Sequence, residues 1–143
     1  MELHCELYDR EKHYGMIASW WRRHNFPVLP AEVLGFGVVV RIDGVPRAAV
    51  FGFHDRYAER LAVIEFAVAN PANNPKQSII ALQTAVECAK ALMQKRGAVC
   101  VMSFFANDGL NRIMQKCGFI SNEKGVESMI YVNGGEEWQS QQV

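Results

Sequence analysis

The sequence has no excess of charge of either sign. Fifteen Lys and Arg residues balance fifteen Asp and Glu residues, so the formal net charge at pH 7 is zero. Such a chain lacks the general positive potential that attracts nucleic acid. A nucleic-acid partner is therefore not indicated, although the local cluster Trp20-Trp21-Arg22-Arg23-His24 leaves one open. The helical spacing places one of the two tryptophans in the core and the arginines on a solvated face.

Long apolar runs are missing as well. The longest, near residues 34–40 and 98–105, fall far short of the roughly 20 residues that a membrane-spanning helix needs. Residues 1–4 offer neither the basic start nor the apolar stretch of a signal peptide. We therefore expect a cytoplasmic protein without a membrane partner.

Paired cysteine motifs are also absent. The four cysteines, Cys5, Cys88, Cys100 and Cys117, are scattered, with no C-x-x-C spacing. Three lie in apolar periodic segments, where a free cysteine behaves as a small buried hydrophobic residue. We predict reduced structural thiols, in keeping with a cytoplasmic location, and no bound metal. A redox or nucleophilic role is the alternative.

What is present is the composition of one globular domain. Half of the 143 residues are hydrophobic and a fifth are charged. We expect a single domain over residues 1–133. Residues 134–143 are rich in Gly, Glu and Gln and are expected to form a flexible tail.

Hydrophobic periodicity predicts an α+β fold. Alternating or continuous apolar runs indicate strands, and apolar residues three and four apart indicate helices. The strands are predicted at residues 3–8, 33–42, 47–54, 61–69, 99–104 and 127–132, and the helices at residues 10–24, 77–95 and 107–117. The Asp43-Gly44 pair predicts a hairpin. Continuous apolar strands indicate a mixed, mostly antiparallel sheet with helices on both faces. The long helix would join a parallel pair by a right-handed crossover.

The segment from Asn107 to Phe119 carries a family resemblance. It is similar to the signature N-x-x-(A/S)-x-x-x-Y-x-x-x-G-F of the GNAT N-acetyltransferases, with Asn107 and Gly118-Phe119 matching. The order of predicted elements also resembles this family. The resemblance implies the GNAT fold, in which two central strands splay apart around the pantetheine arm of CoA. It also implies acetyl-CoA as cosubstrate and a small-molecule or protein amine as acceptor; a homodimer is compatible with it.

The family's phosphate loop, Q/R-x-x-G-x-G/A, corresponds to residues 73–78. Both glycine positions differ, since Lys76 and Ser78 stand there, and Pro75 removes an amide donor. By resemblance, Lys76, Gln77 and Ser78 bind the CoA phosphates at the start of the long helix. The alternative is a capped helix start in which Pro75 pre-sets the entry geometry.

Glu65 is the predicted general base. A carboxylate inside the apolar run 62–66 needs a reason, since burial raises its pKa unless it is paired. The alternatives are a solvent-edge residue or a partner for Arg41 or Arg47 across the strands. His54 is the second candidate for the base.

The remaining site residues follow from the resemblance. The backbone of Phe66, Ala67 and Val68 would bond to the pantetheine amides, with an amide near Val68 polarising the thioester carbonyl. Asn107 would contact the cofactor or cap its helix.

The family's general acid is a tyrosine, and this signature places Met114 at its position. Methionine cannot donate a proton. Tyr131 is the proposed substitute, and a half-buried strand aromatic is its alternative role.

These residues support more than one class of function. The main prediction is an acyl-CoA-dependent N-acyltransferase. The loss of the loop glycines and of the tyrosine favours a catalytically inactive GNAT-like binding or structural protein. Small proteins of this kind resemble phage-encoded ones. A GNAT-fold protein that modifies nucleic acid is the third class.

Overall fold

Five strands form one mixed sheet in the order β1-β2-β3-β4-β5. The computed structural model describes residues 1–55, 57, 60–125 and 129. The strands are β1 (Leu3–Leu7), β2 (Phe36–Ile42), β3 (Val45–His54), β4 (Leu61–Ala69) and β5 (Cys100–Met102). The helices are α1 (Arg10–Arg23), α2 (Pro75–Lys95) and α3 (Asp108–Lys116), and a 3-10 turn (Ala31–Val33) precedes β2.

The strand directions confirm the predicted α+β class. Strands β1 to β4 are antiparallel neighbours, and α2 carries the chain to β5, which lies parallel to β4. The predicted last strand, 127–132, falls outside the described residues except for Met129, and the predicted tail lies wholly outside them. None of the described helices is both long and apolar enough to cross a membrane.

Both faces of the sheet are covered by helices. Val38 and Val40 pack into the core under α2 and α3, whereas Val39 packs into the core under α1. Alternation along a strand sends successive side chains to opposite faces, so a strand covered on both sides is continuously apolar. This confirms the interpretation of the continuous apolar strands. Trp20 and Trp21 are both buried in the α1 core, so the expectation that only one would be core is wrong.

Local signals set the turns and helix ends. Asp43 and Gly44 both have left-handed backbone angles, φ 51° and 81°, in the tight β2–β3 hairpin. Asp9 caps α1 by accepting from the Lys12 amide. Gly97, at φ 105°, follows the end of α2 as predicted.

A network of hydrogen bonds centred on Glu6 connects β1 to α1 and β2. Glu6 Oε1 accepts from Arg41 Nε at 2.8 Å and from His13 Nε2 at 3.0 Å, and Oε2 accepts from Lys12 Nζ at 3.1 Å. His13 Nδ1 accepts from the Asp9 amide, so Nε2 carries the hydrogen given to Glu6. Burial alone would raise the pKa of Glu6, but these three hydrogen bonds outweigh it and lower the pKa to about 2.

We expect Glu6→Gln to lower the free energy of unfolding at pH 7 by roughly 2–3 kcal/mol, because it leaves the cations around Glu6 without their anion. A depressed carboxyl pKa stabilises the fold above the ordinary value of 4.5, and the benefit is lost as the pH falls towards 2. The two proteins should therefore converge in urea unfolding curves recorded across that interval.

The matched control is Glu32→Gln. Glu32 pairs with Arg10 at 3.5 Å, but both side chains are largely exposed, so the loss should stay below about 0.5 kcal/mol. Equal losses for the two variants, or a Glu6 effect that persists at pH 2, would contradict the ascribed role.

Cys5 of β1 and Cys88 of α2 form a disulfide, so the prediction of reduced thiols is wrong for this pair. Their separation of 83 residues gave no spacing motif; only the packing of α2 across the sheet brings them together. Cys100 is exposed and free, and Cys117 is free and buried. Burial raises the pKa of Cys117 to about 11, which fits an inert structural thiol.

Candidate functional site

Strands β4 and β5 run side by side for only three residue pairs. The last pair joins Val63 to Met102, where β5 ends, whereas β4 continues to Ala69. From residue 64 to residue 69, β4 has no strand neighbour on that side within the described part of the chain. We call the opening between residues 64–69 and residues 103–107 the fork. Unpaired main-chain groups on a strand edge can bond to an extended ligand.

Glu65 lies at the closed end of the fork. Its Oε1 atom accepts a hydrogen bond from the Phe104 amide at 2.5 Å. The side chain is half-buried, and burial raises the pKa of Glu65, although the bond from Phe104 acts in the opposite direction. A raised pKa makes a carboxylate a stronger base and so a better proton acceptor.

Neither arginine that was considered as a partner reaches Glu65. Arg41 donates to Glu6, and Arg47 donates through Nη1 to the Asn73 side chain at 3.2 Å. The hypothesis of a cross-strand ion pair at Glu65 is therefore wrong. The carboxylate is held by a main-chain amide instead.

The second candidate base, His54, lies on the other face of the sheet. It ends β3 opposite Ala62, which packs into the core under α2 and α3. Glu65 pairs with Phe51, which packs into the core under α1. Directly paired residues share a face, so the structure does not bring His54 and Glu65 together.

A bulge in β4 follows Glu65. Glu65 pairs with Phe51, but Phe66 and Ala67 together face the single residue Val50. Phe66 has φ 59°, the left-handed region that a residue with a Cβ atom enters at a cost of roughly 1–3 kcal/mol. Bulges occur often beside active sites, where they redirect a side chain.

The bulge places Phe66 on the same face as Glu65. Phe66 and Val68 both pack against the core under α1, and Ala67 packs against the other core. Without the additional residue, alternation would put Phe66 on the face opposite Glu65. The predicted cofactor-binding residues Phe66, Ala67 and Val68 thus lie in the stretch of β4 that β5 does not pair. The contacts of their main-chain groups with pantetheine stay a prediction.

The first turn of α2 uses most of its free amides internally. Asn74 accepts from the Gln77 amide at 2.8 Å, and the Gln77 side chain accepts from the Asn74 amide at 2.9 Å, which forms a capping box. The Ser78 amide donates to the Asn74 carbonyl at 3.1 Å. Pro75 has no N–H. Among the described residues of this turn, Lys76 alone keeps an amide without a hydrogen bond.

This geometry matches the alternative of a capped helix start. The phosphate contacts predicted for Lys76, Gln77 and Ser78 stay a prediction.

Arg47 is a second cation, besides Lys76, close to the start of α2. Its guanidinium binds the Asn73 side-chain oxygen, and the Asn73 amide nitrogen donates to the Arg47 carbonyl at 2.9 Å. The Arg47 Nε atom is buried and has no partner among the residues that the structure describes. The sequence pattern predicted Arg47 only as a partner for Glu65. A charge inside an apolar strand was the available signal, but the strand pattern alone could not reveal its contact with residue 73.

The family signature plays a structural part in α3. Asn107 caps the helix by accepting from the Leu110 amide at 3.0 Å, as its alternative role proposed. Met114, at the position of the family's tyrosine, is 3% exposed and belongs to the core under α2 and α3.

Two further sequence hypotheses are affected by the structure. Tyr131 lies outside the described residues. Trp20 and Trp21 are buried, so neither ring is available to stack on a base, and the cluster at 20–24 offers exposed charge at Arg22 and Arg23 without those aromatic surfaces. In the described part of the chain, no group of His, Cys, Asp and Glu side chains could hold a metal ion.

Comparisons with known proteins identify the fold. No family model matches the sequence, and no curated protein matches it. A ribosomal-protein-alanine N-acetyltransferase from Brucella melitensis biovar Abortus 2308 is 10% identical, with a TM-score of 0.65, and the match covers 92% of this chain and 99% of that one. Glucosamine-6-phosphate N-acetyltransferase from Arabidopsis thaliana is 16% identical, with a TM-score of 0.61 and coverage of 92% and 100%.

A third similar structure is the aminoglycoside N-acetyltransferase AAC(6')-Iy in complex with CoA. It is 12% identical, with a TM-score of 0.64 and coverage of 92% and 96%. The chain therefore has the fold of the GNAT acyl-CoA N-acyltransferases, as the sequence resemblance implied. Identities this low establish the fold and leave activity to be argued from the site.

We expect Met114→Tyr to destabilise the protein rather than restore a proton donor. The larger ring overfills the core around position 114 and buries a hydroxyl without a partner, which costs roughly 1–3 kcal/mol. Met114→Leu, of similar volume, should cost less than about 1.5 kcal/mol. Urea unfolding measures both. A Tyr variant as stable as the unmodified protein would mean that position 114 can open towards solvent.

Proposed function

We propose that this chain is an acyl-CoA-dependent N-acyltransferase that moves an acetyl group from acetyl-CoA to an amine. The fork carries the proposal: an unpaired strand edge can accept the amide-bearing arm of CoA as it would accept a further strand. Glu65 offers a proton acceptor at its closed end. The fold supports the same placement, because the family's pantetheine arm lies between two splayed strands.

The reaction needs a neutral nitrogen, whereas a free amine near pH 7 carries an additional proton. Glu65 takes that proton, directly or through a water, and the nitrogen attacks the thioester carbonyl carbon to form the C–N bond. The C–S bond then breaks, a general acid or a water protonates the leaving thiolate, and the second nitrogen proton replaces the proton that this donor gave. An amide and a thiol result, and the proton on Glu65 returns to solvent. The amide near Val68 polarises the carbonyl oxygen.

The source of the thiolate proton follows from the same proposal. Met114 cannot supply it, because it is buried and has no ionisable hydrogen. Tyr131 is our candidate general acid, and water is the alternative.

The phosphates of CoA would meet the start of α2. Here the free amide and ammonium of Lys76, the Ser78 hydroxyl and the Arg47 guanidinium are the available donors. Binding would therefore depend on side-chain charge more than in a glycine-rich loop, where main-chain amides surround the anion.

Calorimetric titration of the full chain with acetyl-CoA and with CoA tests this proposal. We expect saturable binding that weakens roughly tenfold in Lys76→Gln, because a charge-assisted contact to phosphate is lost. Lys95→Gln, at the opposite end of the same helix, is the matched control and should bind normally. Absence of binding at millimolar cosubstrate would overturn the acyltransferase proposal.

Glu65→Gln tests the base. Glutamine keeps an oxygen that can accept the Phe104 amide, but it cannot take up a proton. We expect kcat to fall roughly 10²–10⁴-fold with unchanged acetyl-CoA affinity. Activity of the unmodified protein should rise with pH as the carboxyl ionises, above the usual glutamate range because burial raises the pKa of Glu65. Unchanged turnover, or an unchanged acidic limb in the variant, would remove Glu65 as the base.

A second candidate function is a GNAT-fold binding protein without transferase activity. The capping box favours it, since the amides that would surround a pyrophosphate are already bonded within the chain. Normal folding together with failure to bind CoA would select this candidate. Asn74→Ala would then lower stability by about 1 kcal/mol without exposing any CoA affinity.

A further inference from the structure

We infer that the acceptor at this site is a monoamine with an aromatic or similarly apolar body, an inference that rests on the proposed acyltransferase function. On the face of the sheet that α1 covers, one half-buried carboxylate, Glu65, lies among aromatic rings.

Strand register supplies these neighbours. Phe51 lies directly opposite Glu65, and Phe53 lies one pair further along the same face, opposite Val63. The bulge adds Phe66 to this face. Every described side chain that the β3–β4 register sets beside Glu65 on this face is therefore uncharged.

The rings form an organised apolar wall. Phe53 and Phe66 meet edge to face, with ring centroids 5.9 Å apart and planes at 87°. Both residues pack against the core under α1 and are only partly buried, so neither is fully enclosed by it. Phe104, whose amide holds Glu65, is 48% exposed at the other side of the fork. Aromatic faces attract an organic cation and also bury its apolar body.

The number of carboxylates at the site limits the number of ammonium groups that an acceptor can carry. A single carboxylate neutralises one ammonium, and its partial desolvation strengthens that interaction. A second ammonium of the same substrate would enter an apolar wall without a counter-charge, and burying an unpaired charge is costly. Strands β1–β4, as described, carry one other carboxylate, Glu6, and it is already bonded to Lys12, His13 and Arg41.

Three ligands test the ring and the number of ammonium groups separately. 2-Phenylethylamine has one ammonium and a ring, 2-phenylethanol keeps the ring without the charge, and spermidine has several ammonium groups without a ring. Binding of each to the full chain is measured by calorimetry without cosubstrate. Acetyl transfer from acetyl-CoA is followed by product mass, which avoids background from the exposed thiol of Cys100.

We expect 2-phenylethylamine to bind roughly tenfold more tightly than 2-phenylethanol and to be acetylated at least tenfold more efficiently than spermidine. Glu65→Gln should abolish the preference of binding for the amine over the alcohol. Phe53→Leu and Phe66→Leu should each weaken amine binding roughly threefold to tenfold, since the apolar bulk remains but the ring is lost. Two ring variants are used in case the strained backbone at Phe66 prevents one from folding.

Phe26→Leu is the matched control. Phe26 is also partly exposed, but it stacks on His24 after α1 and should leave amine binding unchanged. Equal effects of all three ring substitutions would overturn the inference.

The outcomes separate the acceptor class from the transferase proposal. Faster acetylation of spermidine would overturn the acceptor class and leave the transferase standing. Amine binding that depends on Glu65, with no binding of acetyl-CoA, would support the amine site and overturn the transferase. Equal binding of 2-phenylethylamine and 2-phenylethanol would overturn the inference itself.

Discussion

A hydrogen bond from the Phe104 amide to the Glu65 carboxylate forms where the main-chain pairing of β4 with β5 has already ended. Beyond the last residue pair, the Phe104 amide no longer faces a strand carbonyl, and the carboxylate serves as its acceptor. This bond explains how a carboxyl group is accommodated in an apolar strand, since a buried acidic group needs a donor. It also holds Glu65 at the closed end of the fork, where the carboxylate can take up a proton.

The bulge at Phe66 gives the fork its chemical character. A non-glycine residue at positive φ is unfavourable by itself, and such strain persists where the surrounding structure enforces it. Here β3 pairing on both sides of the bulge enforces it, and the result is an aromatic ring beside the carboxylate. The carboxylate and the rings together favour an apolar cation over a highly charged one.

The fork and the start of α2 differ in how closely they resemble the GNAT family. At the fork, β4 is unpaired where the family's strands are expected to splay, whereas at the start of α2 a capping box and the cations Lys76 and Arg47 stand in place of the family's glycines. A capped helix start is stable without a ligand, because its amides already have acceptors. Cosubstrate affinity is consequently the property on which the transferase and binding-protein proposals differ most.

The sequence by itself determined the local features: the Asp43-Gly44 hairpin, the Asp9 cap, the extent of β4 and the both-sided burial of the strands. These depend on residues close together in the chain and on side-chain periodicity. It also indicated Glu65, because a charge in an apolar run is visible without a structure.

Only the tertiary structure decided the partners. The Cys5–Cys88 disulfide, the Arg47–Asn73 contact and the Phe104–Glu65 bond join residues far apart in sequence, and which groups meet depends on how α2 crosses the sheet and where β5 stops. The bulge at Phe66 likewise depends on register with β3, which no local pattern in β4 encodes. Periodicity fixes which face a side chain prefers, but contacts between distant segments follow from the packing of the whole sheet and its helices.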